Sequence, residues 1–301
     1  MTRVQSPQED MKSETLTQEE ALELATVLKQ KLSDGELPNK DLESINKMVA
    51  GLGDNRGELR LTFAKSLGSV GEEAIPILCE ALKNSSNTII RRASAKTLNI
   101  IGNKKALPNL IEAFETDEDP VVQGSSAGAM ATIGEPAIQP LLKILTESTC
   151  TAFQIGLINL ALGFIGSKSP MALHSATNST NPEIRIAALS ALAEQAQKQE
   201  NAEVRLLILN ALKDPDSEVR AEAATIVGKS MDQEEAANQL HELLEDSNDQ
   251  VRKNTALSLM KMDSVISIDT IEHAIHRESD EQVKGVLIVA RNQLINRRDT
   301  I

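Results

Sequence analysis

The chain contains no tryptophan and no tyrosine, and Phe63, Phe114, Phe153 and Phe164 are its whole aromatic complement in 301 residues. A core without large rings is filled by Leu, Ile, Val and Ala, whose modest volumes suit thin layers of stacked helices better than a thick globular interior. Cysteine is nearly as scarce. Cys79 and Cys150 form no CxxC pair, and with four histidines they supply neither a zinc spacing nor a disulfide framework. That usage fits a reduced, cytoplasmic compartment. Positive charge is in deficit, the formal net charge being −13. Affinity for nucleic acid comes largely from Lys and Arg against phosphates, so a nucleic-acid partner is excluded and a basic or amphipathic protein partner is not. Long apolar runs are missing too: no stretch approaches the ~18 apolar residues of a membrane span, and MTRVQSPQEDMKSET lacks the apolar centre of a signal peptide. No P-loop, dinucleotide fingerprint, Ser/His/Asp order or paired-carboxylate signature appears. No residue is therefore assigned a catalytic role, and no metal site is expected.

What the chain does have is a period. A hydrophobic residue followed by a basic or amide residue opens an alanine-rich stretch at Leu59-Arg60, Ile90-Arg91, Val122-Gln123, Phe153-Gln154, Ile184-Arg185, Val219-Arg220, Val251-Arg252 and Val283-Lys284, at intervals of 31 to 35 residues. Before each lies an Asn, Asp, Ser or Pro turn, and before that an apolar helix such as AIPILCEALKN (Ala74 to Asn84) or ALPNLIEAFET (Ala106 to Thr116). Pro76 and Pro108 fall in the first turns of these helices, where a missing N–H costs little. Gly71, Gly102, Gly134, Gly166 and Gly228 stand where second helices close, and are expected to stop them in the left-handed conformation. One hairpin cannot bury its apolar face alone, whereas stacked neighbours share a continuous core. The sequence thus predicts an all-α fold: an α-solenoid of about eight HEAT-like helical hairpins over residues 44–301.

Residues 1–43 read differently. The first 16 are polar and expected to be disordered. Thr17-Gln-Glu-Glu20 has the form of a capping box and opens an amphipathic helix whose apolar side is read as Leu22, Leu24, Val27, Leu28 and Leu32, a cap over the first repeat or a docking helix.

The repeated Arg at the head of each second helix is expected to pair with an acid of a neighbouring turn, with Asp119, Asp216 and Asp249 as candidates. Gln123 and Gln154 break that ladder at consecutive rungs. In DPVVQGSSAGAMATIGEPA, glycines and serines fill the middle of a second helix, although each Gly there costs roughly 1 kcal/mol relative to Ala. Loss of side-chain volume at Gly124, Ser125, Ser126 and Gly128 either lets a neighbouring helix approach closely or leaves a dent edged by hydroxyls. Arg91, Arg92 and Lys96 of the preceding repeat would supply a cationic wall, with at least two of them surplus to the ladder. Such a groove suits a flat, apolar ligand bearing carboxylates. Cys79 is read as inert core, Cys150 as the more exposed thiol, and His273 and His276 as a solvated face.

RRASAKTL (Arg91 to Leu98) and DPVVQGSSAGAMATIGEPA resemble the corresponding segments of the cyanobacterial phycobilin lyases of the E/F type, HEAT-repeat proteins related to phycobilisome-degradation factors. The resemblance implies attachment of an open-chain tetrapyrrole, such as phycoerythrobilin, through a thioether to a cysteine of a phycobiliprotein subunit, with phycoerythrin the expected acceptor. It also implies a bilin held as substrate, no separate cofactor, and a second lyase subunit as a further partner. By the same resemblance Arg91, Arg92 and Lys96 pair with bilin propionates, while Gln123, Ser125 and Ser126 line the dent. A non-catalytic adaptor or chaperone for phycobiliproteins and a general protein-interaction scaffold are the competing functions. Tetrapyrrole sites usually have aromatic walls, and only Phe114, Phe153 and Phe164 stand near this region of the sequence.

Overall fold

The computed structural model describes residues 16–197, 201–231 and 234–299; the segment read as disordered lies outside them, apart from Leu16. All described secondary structure is helical. The chain forms two compact units, Met1–Ala137 and Ile138–Ile301.

The first unit contains α1 (Gln18–Ser33), α2 (Leu42–Gly51), α3 (Gly57–Val70), α4 (Ile75–Asn84), α5 (Thr88–Ile101), α6 (Leu107–Thr116) and α7 (Pro120–Ile133). Helices α1, α3, α5 and α7 pack side by side in one row, and α2, α4 and α6 form a second row behind it. The second unit contains α8 (Ile138–Leu145), α9 (Ala152–Lys168), α10 (His174–Thr177), α11 (Pro182–Ala196), α12 (Ala202–Ala211), α13 (Ser217–Ser230), α14 (Glu234–His241), α15 (Asp249–Lys261), α16 (Ile268–Arg277) and α17 (Glu281–Arg298). Its long helices α9, α11, α13, α15 and α17 again form a row, each backed by the shorter helix that precedes it. Eight hairpins result, from α2–α3 to α16–α17, and the α-solenoid expected from the period is the fold found.

Local chemistry explains the boundaries. Asn87, Asp119, Asn181, Asp216, Asn248 and Asp280 each cap a second helix by accepting a backbone N–H. Thr17 and Glu20 form the expected reciprocal capping box. The face α1 buries matches the sequence reading only in part: Leu28 is buried against α3 together with Ala21 and Ala25, Leu24 and Leu32 are half-buried, and Leu22 and Val27 are half-exposed. Small alanines let α1 sit close to its neighbour, and this placement rotates Leu22 and Val27 outward.

The glycine stops divide into two kinds. Gly71, Gly102 and Gly134 have positive φ and end their helices, Gly102 in the left-handed region. Gly166 and Gly228 lie inside α9 and α13, which run on to Lys168 and Ser230. Their role is close approach. A Cβ at Gly166 would stand 2.7 Å from the Ala191 carbonyl oxygen, and one at Gly228 would stand 2.4 Å from Ser258 Cβ.

Candidate functional site

A turn of the form acid, any residue, Asp or Asn, three residues, Arg recurs along the chain, as in DPDSEVR (214–220) and DSNDQVR (246–252). Its third residue is the N-cap. Its first accepts the N-cap's own N–H, as Asp214 does from Asp216 at 2.9 Å and Asp246 from Asn248 at 2.8 Å. The Arg at the seventh place reaches in two directions. Arg220 Nη1 donates to the Asp214 carbonyl six residues back at 2.9 Å, and Arg220 Nε and Nη2 grip the Asp246 carboxylate of the next turn at 2.7 and 2.9 Å. The same fork joins Arg185 to Asp214, Arg252 to Glu278 and, in the first unit, Arg91 to Asp117. The ladder acid is thus the first residue of the turn. Of the acids proposed for this role, Asp216 serves as an N-cap and Asp249 pairs with Lys253 within α15.

Asp119 is both the N-cap of α7 and the partner of Arg92, whose Nε and Nη2 lie 2.9 and 2.6 Å from its two oxygens. That hydrogen-bonded guanidinium, helped by the Val121 and Val122 N–H groups, outweighs partial burial and draws the Asp119 carboxyl down to about 2. Arg91 is the ladder rung, whereas Arg92 and Lys96 stand outside the ladder, Arg92 engaged with the N-cap acid. Both arginines grip turn carboxylates because the loop DEDP offers an acid at each of the two positions they reach. Lys96 stands apart: it is exposed on α5 with no ion-pair partner among the described residues.

Gln123 keeps half of the arginine's work. Its Nε2 donates to the Asp117 carbonyl six residues back at 2.7 Å. The residue 26 positions on is the uncharged Thr149, so no carboxylate awaits a guanidinium. Gln154 is not the next rung. It stands three residues after its N-cap Thr151, forms a capping box with it and is buried where other repeats place a valine or isoleucine; the rung position belongs to Ile155.

On α7 the solvent side falls at the fifth and ninth positions after the N-cap, which hold Arg92 and Lys96 on α5 and Gly124 and Gly128 on α7. A Cβ at Gly128 would lie 3.6 Å from Asn99 Nδ2, an ordinary contact, so packing does not demand glycine there. Ser125 is half-buried beside it. Ser126 cannot edge a dent: it is sealed in the core and its hydroxyl finds no hydrogen-bond partner among the described residues. Two hollows lie in this unit: one of about 580 Å³ against Glu72, Cys79 and Lys105, away from the six residues, and one of about 360 Å³ against Lys83, Glu112 and Asp117, which Arg91 alone of the six helps to line. On the solvent side of α5 and α7 the Arg92–Asp119 pair and Lys96 thus stand beside the side-chain-free positions Gly124 and Gly128.

Cys79 is buried, and burial pushes its thiol up to about 11. Burial and then Glu147 also raise Cys150. His273 Nδ1 lies 2.7 Å from the Asp269 carbonyl, and His276 faces Glu272. Phe114 is sealed, whereas Phe153 and Phe164 are exposed on α9, a placement hidden from the repeat alignment because Thr151 caps α9 one place later than the Phe153-Gln154 pair implies.

Comparison with known proteins gives three findings. HEAT repeats match at residues 45–131 and 204–290. The chain is 84% identical over 98% of its length, and 99% of the relative's, to the bilin biosynthesis protein MpeU of Synechococcus sp. (strain WH8020). Among solved structures it is similar to the complex of CpcE and CpcF of phycocyanin lyase from Nostoc sp. PCC7120, with 20% identity, 83% of this chain and 94% of that one covered and a TM-score of 0.34. Human deoxyhypusine hydroxylase is similar at 17% identity, with 84% and 96% covered and a TM-score of 0.36.

Proposed function

We propose, from the premise that the chain belongs to the HEAT-repeat family of the bilin biosynthesis protein MpeU, that it is a phycobilin lyase. It holds an open-chain tetrapyrrole and assists thioether attachment to a cysteine of a phycobiliprotein subunit, with phycoerythrin the favoured acceptor. The near-full-length 84% identity carries this reading. In the reaction the acceptor's S–H adds across an unsaturated bilin side chain: a C–S bond forms, the S–H bond breaks and the proton passes to the tetrapyrrole. No leaving group departs and no oxidant is needed. Nucleophile and electrophile both come from substrates, so the lyase contributes placement and exclusion of stray nucleophiles, which is consistent with the lack of a catalytic constellation in the sequence. Lys96, whose ammonium has no ion-pair partner among the described residues, is the best placed of the six to meet a bilin propionate, since Arg91 and Arg92 already grip turn carboxylates. A second lyase subunit would complete the surface around the pigment.

Co-expression with bilin-synthesis enzymes and candidate phycobiliprotein subunits, read as zinc-induced fluorescence on a denaturing gel, tests the reading. Covalent pigment is expected, and Lys96→Glu should lower its yield about tenfold, as loss of a charge-assisted contact implies, without change in helicity. Failure to pigment any subunit, with a candidate second lyase subunit co-expressed as well as without it, would defeat the assignment.

A further inference from the structure

Phe63 and Phe114 are both 0% exposed. The other two aromatic rings share one face of α9. Phe153, Gly156, Leu160 and Phe164 stand two, five, nine and thirteen residues after the N-cap Thr151, a spacing that aligns them along one stripe of a 3.6-residue helix. Phe153 is 50%, Leu160 73% and Phe164 43% exposed. Gly163 adjoins Phe164 on the same side.

Glycine is a poor helix former, and its usual justification is the close approach of something to the backbone. Gly166 fits that account through Ala191. Gly156 and Gly163 do not, since a Cβ at either would meet nothing within 4 Å. Among the described residues nothing packs close to them. The helix also carries no acidic residue although the chain's net charge is −13. Its one basic residue, Lys168, places Nζ 4.2 Å from the centroid of the Phe164 ring, at the C-terminal end of the stripe.

We propose that this face of α9 is a platform for the conjugated rings of an open-chain tetrapyrrole, with Gly156 and Gly163 baring the backbone to a flat ligand and Lys168 meeting one of its carboxylates. The proposal rests on the lyase reading above. Eleven residues separate the two phenylalanines, a rise of about 16 Å along the helix, enough for a row of linked pyrroles. Their apolar faces stack on the Phe rings and on Leu160. A dianionic ligand is repelled by most of an acidic surface but not by an acid-free helix with a cation at its end.

The Gly156→Leu/Gly163→Leu double variant covers the platform without displacing any neighbour, and leucine's better helix propensity should keep or raise the melting temperature. Purified wild type and variant would be titrated with phycoerythrobilin, followed by visible absorbance and induced circular dichroism. The expected result is affinity at least about tenfold weaker in the variant with no loss of thermal stability. Equal affinity in the two proteins overturns the platform and leaves the lyase reading standing. So does a wild type that pigments its acceptor in co-expression yet gives no spectral change on titration. Absence of both binding and attachment overturns the lyase reading, and the platform with it.

Discussion

Gly228→Ala is expected to lower stability by about 3 kcal/mol or more, although it adds a single methyl group and improves helix propensity. An added Cβ would stand 2.4 Å from Ser258 Cβ and 2.6 Å from Ser258 Cα. The second of these is backbone, so no rotamer relieves the overlap. Helix α15 has to move off α13, and that opens the row on which the second unit depends. Gly285→Ala in α17 is the internal control: among the described residues nothing lies within 4 Å of its added Cβ, and a gain of about 0.5–1 kcal/mol is expected. Thermal melts followed by helical circular dichroism should separate the two variants by about 10 °C, at roughly 2–4 °C per kcal/mol for a unit of this size. Matching midpoints for the two would show that α13 and α15 are not in backbone contact.

Arg220→Ala is the second large effect. It strips both guanidinium bonds from Asp246, whose side chain is 8% exposed, and also releases the Asp214 carbonyl. Removing one partner of a buried pair costs about 3–5 kcal/mol, because the charge left behind loses its hydrogen-bonded counter-ion and gains little water in exchange. Burial pushes the Asp246 carboxyl up, but the Arg220 hydrogen bonds and the Asn248 N–H outweigh it and hold the group below its ordinary value. A depressed carboxyl stabilises the fold above the unfolded value of about 3.9, and that contribution is lost as pH falls through the folded value. In the variant the burial effect is no longer opposed by Arg220, the group takes up its proton more readily, and acid removes less. The gap in melting temperature between wild type and Arg220→Ala should therefore narrow between pH 7 and pH 3. A gap that stays constant across this range would mean that the pair does not hold Asp246 ionised.

The repeat, the hairpins and the capping helix were readable because each rests on local chemistry: a period near 31 residues, Asn and Asp caps, and proline in first turns. The ladder was readable as an idea but not in its partner. Asp119 and Asp216 look like ladder acids, yet an N-cap side chain is already turned back onto its own helix; the acid two residues earlier points away and is free for the neighbour. Arg92 reaches Asp119 all the same, because it sits one residue beyond the ladder position. At α9 the Phe153-Gln154 pair matched the motif by residue type, but Thr151 caps the helix one place late, which turns Gln154 inward and Phe153 out to solvent. A one-residue shift rotates a helix face by about 100°, and residue-type alignment cannot detect it. The glycines of α7 and α9 were visible from the start; which of them meet a neighbour depends on interhelical distances that no single sequence records.

The ion-pair ladder also bears on ionic strength. Each of its links, Arg91 with Asp117, Arg185 with Asp214, Arg220 with Asp246 and Arg252 with Glu278, sums to zero and is largely shielded from solvent. The whole excess of −13 consequently resides in carboxylates outside these links, where mobile counter-ions screen beyond about 8 Å at physiological concentration. Adding electrolyte relieves that outer self-repulsion and barely reaches the pairs within, so a protein laced with ionic contacts becomes sturdier in brine.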